Sequence, residues 1–481
     1  MFVTVRFNKF NSEIIKKVLD LRPLFSAAKK SYSTENDFLK CYSDNGSFNG
    51  NYEPLNEHDY TRFYSKRALR REPALTREMT NMAYRVGKQM ISLAEGMPNE
   101  EVFPFTKIDI GMKDGGSFLL EGAELSAALQ YLPSQGLPAL LEELRSLQQA
   151  LHRPPGPARD ILVTNGGQHG IYQCVDLLLE DGDPVIVNEY AYTGVHSTLR
   201  PYHPEILGIP EDEHGMIPET LESVLSERLA RGLKMPKMMY LIPTGSNPTG
   251  TVIPEDRRRM IYELACRFDF LIVEDDPYMF LNYSDKPIAS FLSLDSCGRV
   301  LRLDSFSKVV SAGLRAGWLT APAALTRRIE LHTQAELLHP CTLSQVILLR
   351  LLRNHPALVS YLRTARDIYQ ARRDALHHAL QEVGDLAEWT MPDAGLFFWL
   401  RVRGVDDVYN MAFRTALDRG LMIVPGQAFA FCGRAPCTHL RLTFSRVRYQ
   451  DMPAAIARLA DVIRDEQRLA LEQPKRLATE R

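Results

Sequence analysis

The sequence predicts an α/β protein organised around a mainly parallel β-sheet covered by helices on both faces. Short β-branched runs recur at ILVT (161–164), PVIVNE (184–189), KMMYLIPT (237–244), FLIVEDD (270–276) and VLRLDSFS (300–307). Helical patterns fill the gaps between them. In EDRRRMIYELACRF, after Pro254, residues Ile261, Leu264 and Ala265 fall at helical spacing. The runs are also continuously apolar rather than alternating, the pattern of strands buried on both faces. Such sheets hold ligands beyond the carboxyl ends of their strands, so the residues that close each run are where chemistry is expected.

Composition sets the outer limits. The chain has 481 residues, with 57 Lys+Arg against 59 Asp+Glu, 45% hydrophobic and 24% charged residues. A formal charge of −2 removes the simplest case for a nucleic-acid partner. No run of 18 apolar residues occurs, which argues against a membrane span. The seven cysteines are odd in number and contain no C-x-x-C, so a disulfide framework is not expected and a reducing compartment fits. Cys432 and Cys437 read as buried or incidental thiols, and His377–His378 in ALHHAL as a helix surface. No metal site is expected.

The first 34 residues stand apart. Arg6, Lys9, Lys16, Lys17, Arg22, Lys29 and Lys30 face only Glu13 and Asp20, a local charge of +5, with hydroxyls at Ser26, Ser31, Tyr32, Ser33 and Thr34. That composition suits an organelle transit peptide, although the two acids and Pro23 count against it. The expected location is mitochondrial or cytoplasmic. Residues 35–57, rich in Asn, Ser, Gly and acids, read as linker, so 1–57 form a leader.

The strand ends carry the chemistry. After ILVT comes NGGQHG (165–170), small residues that let backbone N–H groups approach an anion at a helix N-terminus. Glu189, 23 residues after Gly166, would also suit a dinucleotide fold, but G-x-G-x-x-G is incomplete. In DSFSKVVSAGLRAGW (304–318), Lys308 follows a strand between hydroxyls, with Arg315 seven residues on. It is either a surface cation or a Schiff-base lysine beside a phosphate, which Ser305, Ser307 and Arg315 would bind. FLIVEDDPY ends in carboxylates, and a buried carboxylate there needs a cation such as a protonated pyridine nitrogen. Tyr278 and Asn247, the latter in PTGSNPTG, could donate to a phenolic oxygen on the same ring, and Tyr192 in EYAYTG could cover its face. Each has a bland alternative as cap, turn or core aromatic; together at successive strand ends they point to one ring.

SNPTG, EDDPY, SFSK followed by GLRAGW, and the late LRLTF resemble fold-type I pyridoxal-phosphate aminotransferases. QMISLAEGMPNEEVFPF, ALQYLPSQGLPALL, DFLIVEDDPYMFL, DSFSKVVSAGLRAGW and ELLHPCTLSQ are similar more narrowly to kynurenine/2-aminoadipate aminotransferases, in order over residues 58–465. The resemblance implies a large cofactor-binding domain at 110–365 with a mainly parallel seven-stranded sheet. A smaller α+β domain would combine 58–109 with 366–481, including LFFWLRV (396–402) and HLRLTF (439–444). It implies pyridoxal 5′-phosphate as cofactor, Lys308 as its Schiff-base lysine and proton shuttle, Asp275 on the pyridine N–H, Tyr278 and Asn247 on the ring hydroxyl, and Tyr192 on the ring face. Gly167, Gln168, Ser305, Ser307 and Arg315 would bind the phosphate, with Tyr131 reaching it across a homodimer interface. Arg441 would clamp the substrate α-carboxylate, and Gly96 and Arg77 would contact the substrate.

Some positions depart from that pattern. Gly167 stands where relatives often carry Ser, Glu95 where the subgroup has a second Gly, Tyr190 in place of a Pro, and Thr76 in place of an aliphatic. An acid at 95 is expected to weaken binding of anionic substrates such as 2-aminoadipate. The implied reaction is ping-pong transfer of an amino group from an L-amino acid (kynurenine, 2-aminoadipate, aromatic or branched-chain) to a 2-oxo acid such as 2-oxoglutarate. The alternatives are a β-lyase or decarboxylase on the same cofactor, a nicotinamide-dependent oxidoreductase resting on NGGQHG and Glu189, and a non-catalytic regulator on the same fold.

Overall fold

A computed structural model describes residues 52–86, 93–94, 96–113, 115–284, 288–433 and 435–479. Residues 1–51 of the leader and Glu95 lie outside the described residues, whereas the end of the leader is no free linker: Leu55 is buried and its N–H donates to the Cys297 carbonyl at 2.9 Å. Seven strands, β1 (Arg159–Thr164), β2 (Pro184–Asn188), β3 (Glu205–Ile209), β4 (Met238–Leu241), β5 (Leu271–Asp275), β6 (Val300–Ser305) and β7 (Gly317–Pro322), form one sheet in the order β1-β7-β6-β5-β4-β2-β3. This is the α/β class and strand number the sequence implies. β3 and β7 go beyond the apolar runs. β3 (EILGI) carries an interior glycine and is only partly buried, as an edge strand can be, so it lacks a continuous apolar signal.

The chain divides into two compact units, one made of the residues up to Glu180 with Asp285–Arg363, the other of Asp181–Ser284 with Thr364–Arg481. In the first, β7 runs antiparallel to both neighbours, with Gly317 opposite Thr164 of β1 and Ser305 of β6. Helix α1 (Gly167–Leu178) follows β1 directly, and α3 (Ala323–Glu336) follows β7. The middle of β6 is polar and internally paired. Arg302 Nη2 meets Asp304 Oδ1 at 2.8 Å, both side chains buried, and Gln148 Nε2 donates to Asp304 Oδ2 and Thr320 Oγ1 at 2.8 Å each. A buried charge pair is tolerable only with such additional donors.

In the second unit β5, β4, β2 and β3 are mutually parallel. Helix α2 (Glu255–Phe268) fills the predicted position after Pro254 and closes on Asp269, whose backbone is left-handed (φ 58°). A four-stranded antiparallel sheet, in the order β8 (Ala387–Trp389), β9 (Phe397–Val402), β11 (His439–Thr443) and β10 (Val424–Pro425), lies in the same unit.

Two residue-level expectations are sharpened by the structure. His377, on helix α4 (His355–Leu380), is no bare surface residue: its Nδ1 accepts from Trp389 Nε1 at 3.2 Å and its ring stacks on Phe398. Cys437 is buried, with Sγ 3.5 Å from Tyr190 Oη and 3.8 Å from His439 Nδ1, whereas Cys432 is exposed. Among the described residues, no cluster of three or more His, Cys, Asp or Glu side chains could hold a metal, and no helix is long and apolar enough to cross a membrane.

Candidate active site

The sequence-predicted residues fall into two groups, one in each unit. In the first unit, β6 ends at Ser305, and the chain turns through Ser307 and Lys308 to Arg315 before returning as β7. Ser305 Oγ donates to Ser307 Oγ at 3.0 Å and accepts the Ser307 N–H at 3.2 Å, which fixes the turn leading into the half-buried Lys308. Arg315 adopts a left-handed backbone (φ 49°) and donates from Nη2 to the Asn165 carbonyl at 3.2 Å. That bond brings the guanidinium beside Asn165-Gly166-Gly167-Gln168. Gly166 has φ 78°, and a Cβ there would stand 2.5 Å from Arg315 Nη2, so no other residue fits without displacing the arginine.

Helix α1 begins at Gly167 with no side-chain cap from Gly166. The Arg315 bond to Asn165 thus joins the start of α1 to the turn that carries two serine hydroxyls, a lysine and the guanidinium. This donor set suits a phosphate dianion.

In the second unit, Asp275 closes β5 with only 5% of its surface exposed. Its Oδ2 accepts from Tyr240 Oη at 2.6 Å. Tyr240 is a residue sequence reasoning passed over as part of an apolar strand. The signal lies in register: Tyr240 pairs with Val273, so strand parity places it on the face of Asp275, two residues on. Tyr278 is buried, and both burial and the Asp275 charge push its phenol well above the usual range, keeping it a proton donor.

Arg441, on β11, donates from Nη1 to Asn247 Oδ1 at 2.8 Å. Its guanidinium lies over the rings of Phe397 at 4.4 Å and Phe429 at 4.8 Å. Burial lowers its pKa. The turn carrying Asn247 is held close by Gly245 (φ 63°), where a Cβ would meet Gly395 N at 2.5 Å. Tyr192 caps a short helix after β2 and influences Tyr240, Tyr278 and Arg441 electrostatically. A buried carboxylate with a phenol donor, a second phenol and an amide suits a protonated nitrogen heterocycle bearing a hydroxyl. The first unit's donors thus suit a phosphate, and the second unit's groups, taken by themselves, suit a hydroxylated nitrogen heterocycle.

The other predicted residues make contacts of their own. Arg77 is buried (6% exposed) and donates through Nε to Ser134 Oγ at 3.2 Å and through Nη2 to the Leu132 carbonyl. It therefore braces the loop that presents Tyr131. Tyr131 is 42% exposed, its carbonyl accepting from Tyr84 Oη at 2.7 Å and its ring edge-on to His339. Gly96 is exposed, with nothing near its missing side chain.

Comparison with known proteins gives a consistent result. Residues 88–459 match the family described as aminotransferase class I and II. The mitochondrial kynurenine/alpha-aminoadipate aminotransferase of Mus musculus is 38% identical over 422 residues, covering 85% of this chain and 99% of its own. The aromatic-amino-acid aminotransferase 1 of Thermococcus litoralis is 33% identical, covering 85% and 95%. Among solved structures, aminotransferase Aro8 of Candida albicans superposes with a TM-score of 0.76 at 26% identity, covering 86% of this chain and 99% of its own. Pyrococcus horikoshii kynurenine aminotransferase, in complex with PMP and with kynurenine substrates and products, gives 0.69 at 31% identity, covering 85% and 98%.

Proposed function

Because the chain belongs to the class I and II aminotransferases, we propose that it works with pyridoxal 5′-phosphate bound through Lys308 and moves the amino group of kynurenine or a related L-amino acid to a 2-oxo acid. The observation that carries this reading is Asp275, a buried carboxylate at a strand end with a phenol at 2.6 Å. A buried carboxylate at that position suits a cationic partner such as a protonated ring nitrogen. The cofactor, when bound, supplies an aldehyde for the substrate amine and a protonated ring that draws electron density from the substrate α-carbon.

The chain's own residues do the rest. Asp275 holds the ring proton, while Tyr278 and Asn247 donate to the ring hydroxyl and Tyr192 covers the ring face. The first turn of α1 at Gly167 and Gln168, with Ser305, Ser307 and Arg315, binds the phosphate, joined by Tyr131 from the second subunit of a homodimer. Arg441 grips the substrate carboxylate with a fork that suits two parallel hydrogen bonds. Lys308 Nζ would take the proton from the substrate α-carbon and deliver it to the aldehyde carbon of the cofactor, the relocation that amino transfer requires.

The substrate class rests on two supports. Relatives named for kynurenine, alpha-aminoadipate and aromatic amino acids match over most of the chain. Phe397 and Phe429 flank Arg441, so an aromatic side chain has apolar surface beside the carboxylate grip. Arg77 and Gly96 belong to the substrate side, and Glu95 disfavours a second carboxylate. The basic leader and the mitochondrial mammalian relatives support import into mitochondria. A large domain at 110–365 and a small one from 58–109 and 366–481 complete the reading.

The test is direct. Purified protein supplied with pyridoxal 5′-phosphate should show a visible absorbance band that borohydride abolishes, leaving a label on Lys308. A panel of amino donors with 2-oxoglutarate should then show stoichiometric glutamate, with kynurenine among the best donors. Oxo acid formed without glutamate would instead indicate a lyase or decarboxylase.

A further inference from the structure

In the NGGQHG segment, His169 has no task in the cofactor reading. Its ring is engaged at both nitrogens. Nδ1 lies 3.1 Å from the backbone N of Asn165, which can only donate, and Nε2 lies 2.9 Å from Glu336 Oε2 on α3. Accepting at Nδ1 requires a lone pair there, so the ring proton sits on Nε2 and is donated to Glu336. The same Asn165 offers its carbonyl to Arg315 Nη2 at 3.2 Å. One residue is thus held at its N–H by His169 and at its carbonyl by Arg315.

The far end of this chain of contacts is fixed as well. Glu336 also lies 3.7 Å from His332 Nε2, and His332 Nδ1 lies 3.7 Å from Asp176, which pairs with Arg71 at 2.6 Å. Burial raises the Glu336 pKa, but the His169 hydrogen bond and neighbouring charge outweigh it and hold the carboxyl below its usual range. The loop itself has little to fix it from within. Gly166 is left-handed and α1 has no side-chain cap, so the direction of the first N–H groups must be set by neighbours.

We infer that His169 is a positioning residue for the Asn165–Gln168 loop, setting through Nδ1 the geometry with which the loop grips the cofactor phosphate. The inference rests on the proposed cofactor and adds a residue that does not itself touch it. Removing the Nδ1 acceptor frees the Asn165 peptide to turn, and the phosphate must then order the loop when it binds.

Three substitutions in the full-length chain separate this role from simple packing. Asparagine at 169 places an oxygen acceptor near the Nδ1 position, glutamine places its amide nearer Nε2, and alanine places nothing at either. Affinity of the cofactor-free protein is measured for pyridoxal 5′-phosphate and, separately, for pyridoxal, which lacks the phosphate. The expected result is about tenfold weaker pyridoxal 5′-phosphate binding in His169→Ala and His169→Gln, the scale of one lost hydrogen bond. His169→Asn should stay within about twofold of wild type, and pyridoxal affinity should be nearly the same in all four proteins. Equal losses in all three variants, equal losses for the two ligands, or unchanged binding throughout would each overturn the inference. If wild-type protein binds neither ligand, the cofactor reading fails first and the role of His169 falls with it.

Discussion

Replacing Phe429 with leucine tests how the carboxylate grip is built. The half-buried Arg441 lies over the rings of Phe397 and Phe429, whose centroids are 4.4 and 4.8 Å from its guanidinium carbon. Leucine keeps most of the apolar volume but removes one π-face. A cation–π contact is worth ~0.5–1 kcal/mol when exposed and ~2 kcal/mol when desolvated. Arg441, half-buried, belongs between these limits. The Asn247 bond remains, so the arginine keeps one anchor and loses one wall.

A loss of ~1–2 kcal/mol corresponds to about five- to thirtyfold weaker carboxylate binding. Every amino donor and oxo-acid acceptor shares that carboxylate. Steady-state kinetics should therefore show KM rising by a similar factor for all substrates, with kcat little changed, the signature of lost uniform binding. Phe429 also meets Trp399 edge-on at 5.8 Å, so a fall of a few degrees in Tm is expected alongside. Unchanged KM values, or a change confined to aromatic substrates, would refute the reasoning by showing that Phe429 serves the side-chain pocket instead.

Other outcomes follow from single contacts. His196 is buried against Phe431 near Arg200, and burial followed by that charge depresses its pKa from 6.5 to about 4. The unfolded chain therefore binds the proton first, and stability should fall as pH drops from about 6.5 towards 4, by up to ~3 kcal/mol, and then level off. Tm measured against pH should show this slope, flattened in His196→Leu. Asp304→Asn leaves the buried Arg302 without its countercharge and should cost ~3–5 kcal/mol in urea denaturation; a loss below 1 kcal/mol would mean that the arginine is compensated elsewhere. Tyr240→Phe removes one donor from a buried carboxylate and should destabilise the cofactor-free protein by ~1.5–3 kcal/mol, read from the urea midpoint.

What the sequence makes legible is set by locality. Lys308, Ser305, Ser307 and Arg315 lie on one stretch, and Asp275 and Tyr278 on another, so their types and spacing declare a chemistry before any fold is known. Tyr240 does not declare itself, because its role depends on which strand lies beside β5, a non-local fact. Phe429 is hidden for the same reason: it reaches Arg441 from a segment twelve residues earlier, through a turn with no regular period. His169 falls inside a recognised motif, yet its significance depends on Glu336, 167 residues away. The side chains that do the chemistry are thus easier to read than those that orient them. The contact of His377 with Trp389 shows the same limit, since helical spacing assigns a face but not what covers it.

The reversal from β6 into β7 has a further consequence. Ser305 pairs with Gly317, so only eleven residues separate the two strands, and Lys308 and Arg315, the latter proposed for the phosphate, both lie on that connection. Closing so short a loop has a small entropic cost and needs no distant partner. This part of the catalytic apparatus can therefore form early, while the chain is still folding, and insertions into it would separate the two cations. Natural length variation should accordingly be absent from 306–316 and tolerated in the longer excursions between other strands.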